Sequence, residues 1–224
     1  MEKEMYLKIE KYMLSCMNDG AHDRQHIYRV LYTALDLTEG YVVDKDALIA
    51  AAMLHDIGRD AQFKDQACDH AIVGSEMAYE YLLSIGWDIK RASHVKACIG
   101  THRYRSSNPP VSIEAKILFD ADKLDATGTM GIARTLMYNG IVSRPLYSVN
   151  EEGNVSSGVI ENEPSFFHEY SWKLKNVYDK FYTSKAKIIA DGRRKAGIDF
   201  YESMYNEVDA VHKKGAFLLL EAII

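Results

Sequence analysis

Eight consecutive apolar residues, Ala47-Leu48-Ile49-Ala50-Ala51-Ala52-Met53-Leu54, run directly into His55-Asp56. A half-buried strand would alternate in polarity and a surface helix would keep one polar side. This run is apolar almost all round, which predicts a helix buried on every side over Asp46 to His55. Asp44 is placed to cap its start and Gly58 to stop it. The fold must therefore close around this helix, with an imidazole and a carboxylate at its buried end. Without partners, both groups would be costly there.

Neighbouring segments supply the helices that can surround it. Apolar residues recur at helical spacing over residues 5–17, from near Asp23 through Ile27, Val30, Leu31, Ala34, Leu35 and Leu37, and over about 66–85 and 88–102. Ser106-Ser107-Asn108-Pro109-Pro110 reads as a loop. Ser112 caps a further helix through Ile113, Leu118 and Phe119 to about Tyr138, bent around Gly128 and Gly131. Residues 139–163 form a polar, Gly-containing connection with room for short strands, and Pro164 opens a last helical region rich in Phe, Tyr and Lys. The expected fold is all-α. It is one domain over 1–224, with a core over about 20–138 and a helical C-terminal extension over about 164–224.

A chain of 224 residues can bury one substantial core. No stretch approaches the roughly 20 apolar residues of a membrane span. Met1-Glu2-Lys3-Glu4 lacks the basic-then-apolar order of a signal peptide. Cys16, Cys68 and Cys98 are odd in number and outside any C-x-x-C spacing, which points to free thiols in a reducing cytoplasm. A net charge of -5 argues against non-specific nucleic-acid binding, so neither a membrane nor a stable nucleic-acid complex is expected. Eight basic residues between Lys173 and Lys195 read first as a solvated helix face, and otherwise as a basic rim for an anionic substrate. The Leu218-Leu219-Leu220 tail can pack on the core or on a second subunit, so a homodimer is allowed.

Four residues define a candidate site: His26, His55, Asp56 and Asp122. Two imidazoles and two carboxylates can hold a divalent cation and leave positions open for water and a phosphate oxygen. Each also has an ordinary reading. His55-Asp56 could be a hydrogen-bonded pair at a helix end, and Asp122 a salt bridge to Lys123. His26 falls in His22-Asp23-Arg24-Gln25-His26-Ile27-Tyr28-Arg29-Val30, where His22, His26, Arg29 and Val30 share a helical side. Asp122 shares a stripe with Ala115, Leu118, Phe119 and Asp125, so it points inward and needs a counter-cation.

The order His26, His55-Asp56, Asp122 resembles the HD-domain superfamily of metal-dependent phosphohydrolases. The strings His22-Asp23-x-x-His26-x-x-Arg29-Val30, Leu54-His55-Asp56-Ile57-Gly58 and Asp120-Ala121-Asp122-Lys123-Leu124-Asp125-Ala126 resemble a small bacterial single-domain subgroup of it. Residues of about 20–135 carry the likeness strongly, and Phe166-Phe167-His168 to Arg193 more loosely. The resemblance implies an HD-domain/PDEase-like helical fold and His26, His55, Asp56 and Asp122 as metal ligands. Manganese is the expected ion, and Mg, Fe, Ni, Co or Zn fit the same donors. Some relatives use extra histidines for a second metal; His70, His94 and His102 are the candidates here, for a metal or for phosphate. Arg103-Tyr104-Arg105-Ser106 stands where cyclic-dinucleotide phosphodiesterases carry paired His and Gly-Tyr-Pro, which argues against that activity.

The implied activity is hydrolysis of a nucleotide or related small phosphate, with nucleoside triphosphate pyrophosphohydrolysis foremost. Asp60 is nominated to orient or deprotonate the attacking water, and Lys123 to offset charge in the transition state. Arg29, Arg59 and Arg103 are candidate phosphate clamps. The alternatives are a 5'-nucleotidase-type phosphomonoesterase, a non-catalytic nucleotide- or metal-binding sensor, and a di-iron dioxygenase.

Overall fold

The computed structural model describes residues 1–17, 24–103, 107–150, 152–159 and 164–223. His22, Asp23 and the Tyr104-Arg105-Ser106 string therefore lie outside the described residues. The elements in order are α1 (Lys3–Cys16), α2 (Arg24–Asp36), α3 (Lys45–Leu54), α4 (Arg59–Lys64), α5 (His70–Ser84), α6 (Ile89–Gly100), α7 (Ile113–Leu124), α8 (Gly128–Ile141), α9 (Phe166–Trp172), a 3-10 turn at Leu174–Asn176, and α10 (Ser184–Ala222). The fold is all-α, as the periodicity predicts. Among the described residues the expected short strands amount to one isolated bridge, Val149 to Val155.

The chain divides into two compact units, the first comprising Met1–Asp125 with Phe181–Ala186. Helix α3 is its centre and packs against α1, α2, α5, α6 and α7. Ala47, Leu48 and Ala50 through Leu54 are all buried, so the all-round apolar pattern has its expected consequence. Asp44 caps α3 by accepting from the amides of Asp46 and Ala47, and it also accepts from Arg91 Nε at 2.6 Å.

Gly58 does not stop α3 in the left-handed conformation. Its φ is -85°, α3 already ends at Leu54, and Gly58 instead precedes α4. A glycine is needed there for another reason: a Cβ on Gly58 would lie 2.3 Å from the His70 carbonyl oxygen and 2.6 Å from the Gly74 amide nitrogen. The turn after His55-Asp56 thus lies backbone to backbone on α5, within reach of His70.

Two long helices predicted from periodicity are each shorter in the structure. The 66–85 segment starts only at His70, where Asp69 caps α5. The helix capped by Ser112 ends at Leu124, and Asp125 to Thr127 separate it from α8. Gly128, at φ +61°, breaks the run that was expected only to bend.

The second unit comprises Ala126–Lys180 and Lys187–Ile224. Its core is aromatic: Phe166, Phe167 and Tyr170 are buried with Ile132, Val155 and Leu174, and Tyr170 stacks on Tyr201 at 4.1 Å. In the basic 173–195 stretch, Lys173 pairs with Glu169, Arg194 with Asp179, and Lys195 with Asp199; Lys185, within the first unit, pairs with Asp36 and Glu39. These contacts fit the solvated-face reading. No helix among the described residues is long and apolar enough to cross a membrane.

Candidate metal centre

His55 leaves the buried end of α3 and donates its Nδ1–H to the Ala52 carbonyl at 2.8 Å. His26, on α2, donates its Nδ1–H to Asp125 Oδ2 at 2.8 Å. In the neutral form each imidazole therefore presents its Nε2 lone pair, and the two Nε2 atoms lie 3.3 Å apart. Two lone pairs at that distance repel unless a positive centre sits between them. Asp56 Oδ2 is 3.6 Å from His26 Nε2 and 3.7 Å from His55 Nε2, while Asp122 Oδ1 is 3.4 Å and 3.9 Å from the same atoms. A cation bound at roughly 2.1 Å sets neighbouring donors about 3.0–3.4 Å apart, so the donors are spaced to close on one ion with little movement.

Asp56 turns its other oxygen to a second pair of histidines. His70 Nε2 is 3.3 Å and His102 Nε2 3.6 Å from Asp56 Oδ1. Their Nδ1 atoms donate to Gln62 Oε1 at 2.5 Å and to the Ile99 carbonyl at 2.7 Å. Both Nε2 atoms are shielded from solvent without a hydrogen-bond partner. An orphaned buried lone pair is costly, and two aimed at one carboxylate oxygen suit a cation. Among the described residues, two groups could thus hold a metal ion: His26, His55 and Asp56, and Asp56, His70 and His102, all buried.

The electrostatics keep His55, His70, Asp56 and Asp122 in the metal-ready form. Burial pushes the His55 pKa down to about 4 and the His70 pKa down to about 2, so both are neutral at pH 7. Burial opposes ionisation of Asp56, yet Arg59 and the surrounding imidazoles hold its carboxyl well below the usual range. For Asp122, burial likewise acts upward and is outweighed by Lys123 and His26.

The remaining sequence candidates fall into three sets. Arg29, Arg59, Arg103 and Lys123 are each engaged by a carboxylate: Asp125 at 2.7 Å, Asp56 at 2.9 Å, Asp69 at 2.9 Å and Asp122 at 2.7 Å. Asp60 stands in the first turn of α4, turned about 100° from Arg59, and belongs to neither ligand group. Burial raises the Cys16 thiol pKa, with a smaller upward push from Asp60. His94 is not brought to the site; its Nε2 meets Glu114 at 3.1 Å. Eight residues of helix put His94 about 12 Å along the axis from the level of His102, and α6 ends at Gly100, so His102 enters the site from the turn beyond it.

Asp125 and Gln62 were not singled out from sequence. Asp125 had a signal, because it follows Asp122 by three residues on the same inward stripe. Gln62 had none; its partner His70 is known only from the fold.

The family model for the HD domain matches residues 24–127. That span begins just before His26 and ends just past Asp125. A Bacillus thuringiensis structure described as an HD-superfamily hydrolase matches with a TM-score of 0.69 at 28% identity, covering 94% of this chain and 100% of that one. This chain carries an HD domain over residues 24–127. The chain is also similar to an uncharacterized protein, YpgQ of Bacillus subtilis (strain 168), which is 27% identical over 210 residues, 91% of this chain and 94% of YpgQ. The crystal structure of YpgQ in complex with ADP matches with a TM-score of 0.69 at 24% identity, covering 91% of this chain and 97% of that one. The fold is that of HD-superfamily hydrolases.

Proposed function

We propose that this chain is a divalent-cation-dependent phosphohydrolase acting on nucleotides or related small phosphates. The observation that carries the reading is the convergence of His26 and His55 Nε2 at 3.3 Å between two aspartate oxygens. A divalent cation, manganese foremost, would polarise a phosphoryl oxygen there and acidify the attacking water.

His26, His55, Asp56 and Asp122 would hold the first ion. His70 and His102, with Asp56, would hold a second. Lys123, tethered to Asp122, and Arg103, tethered to Asp69, offset charge developing on the phosphoryl oxygens. Arg29 and Arg59 act on carboxylates instead, steadying Asp125 and Asp56. Attack at the α-phosphorus of a triphosphate breaks its bond to the bridging oxygen and yields a monophosphate and pyrophosphate. The ADP complex of YpgQ supports a nucleotide. A reducing cytoplasm is part of this reading, because the three cysteines are odd in number and outside any C-x-x-C spacing.

The test is a manganese-supplemented screen over nucleoside mono-, di- and triphosphates with Asp56→Ala as control. Pyrophosphate release that vanishes in the variant is the expected result. Phosphate release from monophosphates alone would make the chain a 5'-nucleotidase-type enzyme, and silence with metal bound would make it a sensor.

A further inference from the structure

Helix α4 turns two residues toward the centre. Arg59 donates from Nε to Asp56 Oδ1 at 2.9 Å, and Gln62 accepts from His70 at 2.5 Å. Positions 59, 62 and 63 are related by i,i+3 and i,i+4 spacing, so Phe63 lies on the same helix face, one turn and about 6 Å beyond Arg59. The backbone contact of Gly58 with α5 fixes where α4 starts, and the Arg59 and Gln62 contacts fix its rotation. Phe63 nevertheless remains 60% exposed, whereas the other phenylalanines of the first unit, Phe119 and Phe181, are 1% and 6% exposed. A large apolar ring has been left in water one helical turn beyond a residue that touches the buried polar centre, where a packed core position would have been more stable.

We propose that Phe63 is a specificity-determining residue, an aromatic platform for the base of a nucleotide whose phosphates lie on the histidine–aspartate centre. This rests on the phosphohydrolase reading above. Stacking on one ring face accepts any base, so the platform selects nucleotides over inorganic phosphates without reading base identity.

The experiment compares binding of ADP and of inorganic pyrophosphate to the manganese-loaded full chain, in wild type, Phe63→Ala and Phe63→Trp. Phe63→Ala should weaken ADP about tenfold and leave pyrophosphate binding and manganese content unchanged. Phe63→Trp should restore ADP binding. An unchanged ADP affinity in Phe63→Ala, or an equal loss for both ligands, would overturn the platform alone. A wild-type protein that binds manganese but neither ligand would overturn the phosphohydrolase reading, and the platform with it.

Discussion

Asp125 takes the Nδ1–H of His26 on the same carboxylate that Arg29 grips through Nε at 2.7 Å and Nη2 at 3.0 Å. The imidazole is thereby fixed in both tautomer and ring orientation by a residue that does not touch the proposed cation. Asp125→Ala should weaken manganese binding about 10- to 100-fold while the helical CD spectrum persists. A titration that gives wild-type affinity would show that His26 needs no such support.

Asp56 is common to both histidine groups, so the second can be removed without the first. His70→Ala or His102→Ala should lower bound manganese from two ions per chain to one, read by elemental analysis of dialysed protein. Wild-type stoichiometry in both variants would exclude the second position.

Gly58 has no room for a methyl group. Gly58→Ala should destabilise the protein by about 1–3 kcal/mol, because either the turn or α5 must move. Urea melts provide the measurement. Manganese affinity should fall as well, since the displaced turn carries Asp56.

Asp44 offers a pH signature. Its contact with Arg91 is the largest cause of a pKa lowered from 3.8 to about 2. A lowered carboxylate pKa contributes stability that is fully present above the unfolded value and is lost as pH falls through the folded one. Asp44→Asn keeps the cap and loses the ion pair, so wild type should exceed it by a steady margin of about 0.2–1 kcal/mol above about pH 5. The margin should narrow between pH 4 and 2. A margin that instead grows on acidification would refute the ion pair.

The central helix and its polar end were legible because an eight-residue run without polar interruption admits few solutions, and His55-Asp56 had to find partners. His26 and Asp122 were legible through order and stripe. What the sequence did not disclose was which groups answer which. Arg29, Arg59 and Arg103 read alike as phosphate clamps, yet each meets a carboxylate that the sequence did not name for it, whereas the pairing of Lys123 with Asp122 was among the ordinary readings. Gly58 shows the same limit: a helix-stop reading follows from local rules, while its actual role depends on Gly74, sixteen residues away.

Asp120, two residues before Asp122, is fully buried and points elsewhere. Its carboxylate accepts from the Tyr182 amide at 2.9 Å, the Thr183 amide at 2.7 Å and the Thr183 hydroxyl at 2.7 Å. The smallest self-sufficient form of the metal-binding unit is therefore discontinuous in sequence. A fragment cut after Thr127, where the HD match ends, would strip those donors from an interior anion and expose it to the desolvation cost of an uncompensated charge. Anyone transplanting this domain must carry along the distant hexapeptide Phe181–Ala186, or redesign Asp120 as an apolar residue.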